Sequence, residues 1–338
     1  MKLQKGMTAL VTGGVSGLGE ASAIALLERG LNVVAVDLND ERGQAMEQQY
    51  AGRLRYVKAD VSDEGQMQQA IAAAEAFGNF RALVHCAGIG GPVRLIEKDG
   101  SPGSLEKYIN IIRVNQIGTF NTLRLAAVAM AKNEPIDGER GVCVLTASVA
   151  GYEGQIGQIP YASSKAGVIG MTIVAARDLA SKFIRVCTIA PGLFDTPILA
   201  KLPEAVRQSL GASVPNPARL GHPSEYAMTA LHILENPMLN GETSAWMGPS
   251  AWRLDNNPLR SAPPCSRQRR QLFGDVQACA GRLGAGPSAP SLCALRAPGR
   301  GTTPVARQSR LHGVCWRGLL RGLRSNGLRC RLHATRAM

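Results

Sequence analysis

Between residues 7 and 236 the chain alternates short β-branched runs with longer stretches whose apolar positions recur at helical spacing. Strands are expected over 8–11, 32–36, 54–57, 82–85, 142–146 and 185–189. Helix-period segments fill the intervals at 17–29, 41–50, 63–76, 107–132 and 161–182. Alternation at this spacing predicts βαβ units and a parallel sheet. Right-handed crossovers make such a sheet doubly wound, with helices on both faces. The expected fold class is α/β, a single Rossmann-type domain over 1–243 with no internal repeats. After Gly241 the pattern stops.

Charge divides the chain at the same place. Residues 1–243 carry 22 Lys+Arg against 23 Asp+Glu, a net of −1, whereas 244–338 carry 16 Arg, no Lys and only Asp255 and Asp275. The basic pI therefore belongs to the tail and says nothing about the domain. Rich in Arg, Pro, Gly, Ser and Ala, the tail lacks the apolar periodicity to offset chain entropy and is read as disordered. Its five cysteines, Cys265, Cys279, Cys293, Cys315 and Cys330, include no C-x-x-C pair, which argues against zinc. A basic arm for nucleic acid or membrane phosphates is the competing reading, but neither aromatic interleaving nor an amphipathic helix supports it.

Cys86, Cys143 and Cys187 lie far apart in apolar segments and read as reduced, buried thiols. Met1-Lys2-Leu3-Gln4-Lys5 leads straight into the first apolar run, so no signal or transit peptide is expected. The longest apolar runs, such as 125–131, fall well below the ~18 residues that span a bilayer. A cytoplasmic protein is the expectation, with the mitochondrial matrix as the alternative.

Two groups of residues carry candidate chemistry. Thr12-Gly13-Gly14-Val15-Ser16-Gly17-Leu18-Gly19 follows the first strand and opens the first helix, where glycines let a backbone approach a pyrophosphate at the positive helix end. Asp37 ends the second strand, 18 residues beyond Gly19, placed to accept from both adenosine ribose hydroxyls and to repel a 2′-phosphate. NAD is therefore the expected cofactor. In the second group, Tyr161 and Lys165 share one helix face, and an ammonium beside a phenol is expected to lower the phenol's pKa. Ser148 stands thirteen residues upstream, past a strand end, at the edge where doubly wound sheets bind ligands.

Together with Cys86-Ala87-Gly88, Asn115 and Pro191-Gly192, these motifs resemble the short-chain dehydrogenase/reductase family over about residues 5–243. The resemblance implies that Tyr161 is the acid/base, that Lys165 binds the nicotinamide ribose, and that Ser148 orients substrate. It implies that Asn115 holds a water linking Lys165 to solvent, that Asp60-Val61 meets the adenine, and that Pro191, Phe194 and Thr196 lie in the segment contacting the carboxamide. His85-Cys86 departs from the family pattern, which commonly has Asn-Asn there, while the Ala-Gly that lets the cofactor approach is kept. Longer stretches, among them 145–150, 153–158 and 236–242, are similar to the type 2 3-hydroxyacyl-CoA dehydrogenase branch, also called 17β-hydroxysteroid dehydrogenase type 10. That likeness implies oxidation of (S)-3-hydroxyacyl-CoA in fatty acid β-oxidation and a homotetramer or dimer. Steroid or other secondary-alcohol oxidation, and a non-catalytic scaffold, are the alternatives. Segment 90–107 matches an insertion this branch places beside its substrate cleft. Arg94, Lys98 and Lys107 there either meet coenzyme A phosphates or decorate a solvated loop. Gln155 and Gln158 either contact substrate or bond within their loop.

The family ends in a seventh strand reading Ile-Arg-Leu-Asp-Gly-Ala-Ile-Arg-Met, where this chain has Ser244-Ala245-Trp246-Met247-Gly248. Back-translated, Trp-Met-Gly contains Asp-Gly one base earlier, and the flanking codons can restore the rest. Residues 244–338 are therefore read as a frameshifted extension. The strand is expected to be lost, the edge of the sixth strand uncovered, and assembly put in doubt.

Overall fold

A computed structural model describes residues 1–200 and 202–246. Seven strands form one sheet in the order β3-β2-β1-β4-β5-β6-β7. They are β1 (Met7–Thr12), β2 (Asn32–Asp37), β3 (Leu54–Lys58), β4 (Asn79–His85), β5 (Gly141–Thr146), β6 (Ile184–Pro191) and β7 (Thr243–Trp246). Every neighbouring pair is parallel. The helices in chain order are α1 (Gly17–Glu28), α2 (Asp40–Gln49), α3 (Glu64–Phe77), α4 (Leu105–Ile112), α5 (Gly118–Ala131), α6 (Ile159–Ala180), α7 (Pro197–Ala200), α8 (Glu204–Ala212) and α9 (Pro223–Glu235). None among the described residues is long and apolar enough to cross a membrane.

Two hydrophobic cores sandwich the sheet. One packs Ala9, Val11, Val33 and Val84 against Leu26 and Leu27 of α1, Met46 of α2 and Leu234 of α9. The other packs Leu10, Val34, Leu83 and Leu145 against Met67 of α3, Met130 of α5 and Val168 of α6. Alternate residues of each strand thus face opposite cores, as burial on both faces requires. The crossing at β1 and β4, where strand order reverses, opens the crevice in which doubly wound sheets bind ligands.

Three differences from the sequence reading stand out. The periodic stretch 107–132 is not one helix: a π-helical turn, Arg113–Ile117, separates α4 from α5. Helices α7, α8 and α9 follow β6, where the sequence pattern predicts none. The seventh strand is present, though short. Thr243–Trp246 pairs with Thr188–Pro191, and just before it Gly241 N–H donates to Val186 O (2.8 Å) and Val186 N–H to Asn240 Oδ1 (3.0 Å). The edge of β6 is therefore covered. Strand pairing is main-chain chemistry, and Ser244, Ala245 and Trp246 supply it as well as the family residues would. The remainder of the tail reading, from residue 247 onward, lies outside the described residues.

Arg185 anchors the far end of β6. Buried beside Glu139, it donates to the carbonyls of Ile233 (2.9 Å) and Leu234 (3.0 Å) at the end of α9 and of Leu239 (2.7 Å) before β7. A guanidinium placed there satisfies carbonyls that the helix end leaves open.

Candidate active site

At the carboxyl end of β1 the chain turns into α1 through Gly13, whose φ of +63° suits glycine. A side chain there would also meet Ala87 N at 3.1 Å, so the turn lies directly on the Cys86–Gly88 backbone. Gly19 is tighter still, since a Cβ would stand 2.1 Å from Gly13 O. These two positions bring the start of α1 against the turn and leave its amides facing the crevice. Ser16 caps α1 without a side-chain bond, and Leu18, on the first turn, is partly buried against the core. The cradle fits a dinucleotide pyrophosphate by shape and by helix polarity.

Asp37 stands at the end of β2 beside this turn. Its Oδ1 accepts from Leu38 N–H (2.8 Å) and Asn39 N–H (3.2 Å), and its Oδ2 makes only a long contact with Val15 N–H (3.4 Å). Arg42, the next cationic residue along the chain, is engaged elsewhere. Its Nε donates to Val15 O (2.8 Å) and its guanidinium pairs with Glu20 (2.7 Å). Farther along the same edge, Asp60 accepts from the Ser62 hydroxyl (2.6 Å) and amide (2.9 Å) and pairs with Arg113 (3.1 Å). Burial pushes the Asp60 carboxyl up, but these donors outweigh it and hold the group below the usual carboxylate range. The neighbouring Val61 is buried, its carbonyl accepting from Asn121 Nδ2 (2.9 Å).

Across the crevice, Tyr161 lies in the first turn of α6, where Pro160 removes an N–H that the helix leaves unused. Lys165, one turn on, is 4% exposed. Its Nζ donates to Thr146 O (2.8 Å) at the end of β5 and sits 5.8 Å from the centre of the Tyr161 ring. A Cβ on Gly88 would be 3.5 Å from this amine, so the floor of the site runs past it. Ser148 is buried and accepts from Ala150 N–H (3.1 Å), and its hydroxyl acts to lower the Tyr161 pKa.

Asn115 occupies the centre of the π-helical turn, an irregularity that often marks functional positions. Its side chain is fully engaged. Oδ1 accepts from Ile89 N–H (2.8 Å), and Nδ2 donates to Ile89 O (2.9 Å) and Ser164 Oγ (3.1 Å), which in turn donates to Tyr161 O (2.7 Å). Asn115 O accepts the Thr119 hydroxyl (2.6 Å). Ser164 thus ties the π-turn to the tyrosine's helix turn. It precedes Lys165 in the chain, and only that adjacency could have signalled it.

The electrostatics correct one expectation. Burial raises the Tyr161 pKa and outweighs the opposing Ser148 hydroxyl, so the net shift is upward where helical spacing suggested a lowering. The lysine is itself buried and its own pKa is pulled down to about 8. Enclosure favours the neutral form of both partners, and one turn of helix cannot reveal enclosure.

The segment leaving β6 closes the crevice. Pro191 ends the strand, and Phe194, 9% exposed, bridges to Gly221 while Asp195 N–H donates to Gly221 O (2.9 Å). Thr196 lies over Gly17, where an added Cβ would find it at 3.5 Å. The ring of Phe194 packs 6.2 Å from that of Trp246 on β7.

A sequence model of the short chain dehydrogenase family matches residues 7–207. This chain is a short-chain dehydrogenase. It is 47% identical over 241 residues to 3-hydroxyacyl-CoA dehydrogenase type-2 of Drosophila melanogaster, covering 70% of this chain and 94% of that protein. The protein of the same name from Homo sapiens is also 47% identical over 241 residues, covering 70% and 92%. The crystal structure of 3-hydroxyacyl-CoA dehydrogenase type-2 from Mycobacterium avium superposes with a TM-score of 0.70 at 44% identity, covering 72% of this chain and 96% of that one. As a short-chain dehydrogenase the chain is an oxidoreductase of the nicotinamide-dinucleotide class.

The structure of this short-chain dehydrogenase brings Gly13, Gly17, Gly19, Ala87, Gly88, Ser148, Tyr161, Lys165, Asn115 and the Pro191–Thr196 segment around one crevice. The loop residues divide. Gln158 Oε1 accepts from Gln155 N–H (3.0 Å), which is the loop-bonding alternative, whereas no side-chain bond among the described residues occupies Gln155. Val93 N–H donates to Gly157 O (2.8 Å), so segment 90–107 docks on the same loop. Arg94 and Lys98 are both exposed and form no ion pair among the described residues. Cys143 and Cys187 are buried free thiols; Cys86 is only half-buried, its Sγ 3.6 Å from the Thr146 and Tyr226 hydroxyls.

Proposed function

We propose that this enzyme oxidises (S)-3-hydroxyacyl-CoA to 3-oxoacyl-CoA with NAD+, as in fatty acid β-oxidation. The observation that carries the reading is the meeting of Tyr161, Lys165 and Ser148 beside the Gly88 floor, in a chain similar at 47% identity to proteins named for this activity. The bound nicotinamide supplies the hydride acceptor. Ser148 holds the substrate hydroxyl against the Tyr161 oxygen, which takes its proton as the C3 hydride departs. Tyr161 must be a phenolate before it can take that proton, and the Lys165 ammonium stabilises this phenolate in a site where burial opposes a lone charge. Asn115 fixes the turn and, sharing the Gly88 floor with the Lys165 amine, is the residue assigned to the relay water. The Asp37 carboxylate, with an open oxygen, favours a ribose hydroxyl over a 2′-phosphate, and the pairing of Arg42 with Glu20 leaves no counter-charge for the phosphate.

Apolar side chains exposed on α4 and α5, including Leu105, Ile109, Phe120 and Val128, support a homo-oligomer. The 241 matched positions are close to the length of the chain before the Arg-rich tail, which supports reading residues 244–338 as a frameshifted extension without a role in the reaction. The test is NADH formation from 3-hydroxyacyl-CoA thioesters, run beside NADP+ and beside hydroxysteroids. Preferential turnover of the thioesters with NAD+ is expected. Exclusive turnover of steroids, or a preference for NADP+, would overturn the assignment.

A further inference from the structure

One buried imidazole lies beneath the cofactor turn with no part in the chemistry above. His85, the last residue of β4, is 1% exposed and pairs in register with Thr12, the last residue of β1. Its Nδ1 is 2.9 Å from Thr12 Oγ1, and the same hydroxyl accepts from Ala87 N–H at 3.2 Å. The His85 carbonyl accepts from Thr146 Oγ1 (2.6 Å), and the Thr146 carbonyl holds the amine of Lys165 (2.8 Å). His85 therefore stands between the glycine turn and the lysine's anchor. Its Nε2 has no hydrogen-bond partner among the described residues.

Hydrogen-bond accounting assigns the proton. With Nδ1 protonated, the buried Thr12 hydrogen and the Nε2 lone pair would both be left without partners. With Nε2 protonated, Thr12 donates to Nδ1 and a single unsatisfied group remains. Burial, reinforced by Lys165, pushes the imidazole pKa down to about 3, so the ring stays neutral at working pH.

We propose that His85 is a positioning residue for dinucleotide binding: as a neutral, Nε2-protonated imidazole it receives the Thr12 hydroxyl and so keeps the glycine turn and the Ala87-Gly88 floor in register. The proposal rests on the dinucleotide site of the preceding reading but not on its substrate. A side chain without an acceptor, as in His85→Leu, strands the Thr12 hydroxyl and loosens the turn against its floor. An amide, as in His85→Asn, offers Oδ1 in its place.

The test uses the full chain. Binding of NADH, followed by its own fluorescence, is expected to weaken roughly tenfold in His85→Leu, the worth of one buried hydrogen bond. His85→Asn is expected to recover most of that loss. In turnover, KM for the dinucleotide should move far more than kcat. Nitrogen-15 NMR of labelled histidine, with the His85 signals identified by their absence in His85→Asn, should show Nδ1 bare and Nε2 protonated, unchanged between about pH 5.5 and 8. A protonated Nδ1, or NADH binding by His85→Leu as tight as in the unaltered protein, overturns the proposal. Should His85→Leu fail to fold, the NMR assignment on the unaltered chain still decides. A protein that binds NADH but oxidises no 3-hydroxyacyl-CoA would refute the substrate assignment and leave this inference standing.

Discussion

The proton-handling side of the crevice and the loop that overhangs it are built on opposite principles. Around Lys165 the polar side chains of Asn115 and Ser164 and the lysine amine itself all have partners. Asn115 spends all its side-chain hydrogens, Ser164 bonds in two directions, and the amine rests on Thr146 O. Segment 90–107 is held mainly by backbone, through Val93 N–H to Gly157 O, and exposes Leu95 (75%) and Ile96 (70%). Buried polar networks tolerate few substitutions because each lost partner strands another group. An exposed loop forfeits little when a side chain changes. On the proposed function, the contrast separates a fixed reaction from an adaptable substrate contact.

The largest effect expected is on chemistry. On the proposed mechanism Tyr161→Phe removes the proton acceptor while preserving the ring, and kcat should fall by ~10²–10⁴-fold in steady-state assays. A variant that keeps a tenth of the original kcat would show that another group moves the proton.

Next comes stability in the network. Asn115→Leu strands the amide and carbonyl of Ile89 and takes a partner from Ser164, at an expected cost of about 2–4 kcal/mol. Urea denaturation should show a lower midpoint at an unchanged slope. A midpoint equal to that of the unaltered chain would mean the π-turn is held by packing alone.

Lys165 makes the same point through pH. The unfolded chain keeps this proton to about pH 10.5, whereas the folded chain releases it near 8. Between those values the unfolded state binds more protons, so this group's contribution to stability rises with pH, by about 3 kcal/mol in total. Below pH 8 the penalty is constant. Comparing urea midpoints of Lys165→Met and the unaltered chain at several pH values should show the difference between them shift as the alkaline window is entered. Parallel curves would place the lysine in a wetter site than its burial implies.

The smallest effect belongs to the loop. Arg94→Ala with Lys98→Ala should raise KM for an acyl-CoA by only about threefold, an effect that fades at high salt, because exposed charges are screened. A hundredfold rise would mean that the loop is no more tolerant of change than the network beneath it.

Much of this architecture was legible in the chain. Alternating runs announced the parallel sheet, because strand and helix periods differ and burial on both faces demands continuous apolar strands. The places of the glycine turn and of Asp37 at the end of β2 were readable because each depends on the backbone geometry of a few consecutive residues. Tyr161 and Lys165 were readable because one helical turn relates them. The break between α4 and α5 was not, since a π-turn inserts into an unbroken periodic pattern. Nor was the seventh strand, whose pairing depends on main-chain groups that residue identities do not disclose.

What the sequence determined by itself was local: which segments are strands or helices, and which residue types stand at their ends. Tertiary structure alone decided the tyrosine's raised proton affinity, the pairing of Arg42 with Glu20, and the closure of Thr12 on His85. Those properties come from burial and from partners 22 or 73 positions away along the chain, and only packing brings such groups together or removes water from around them.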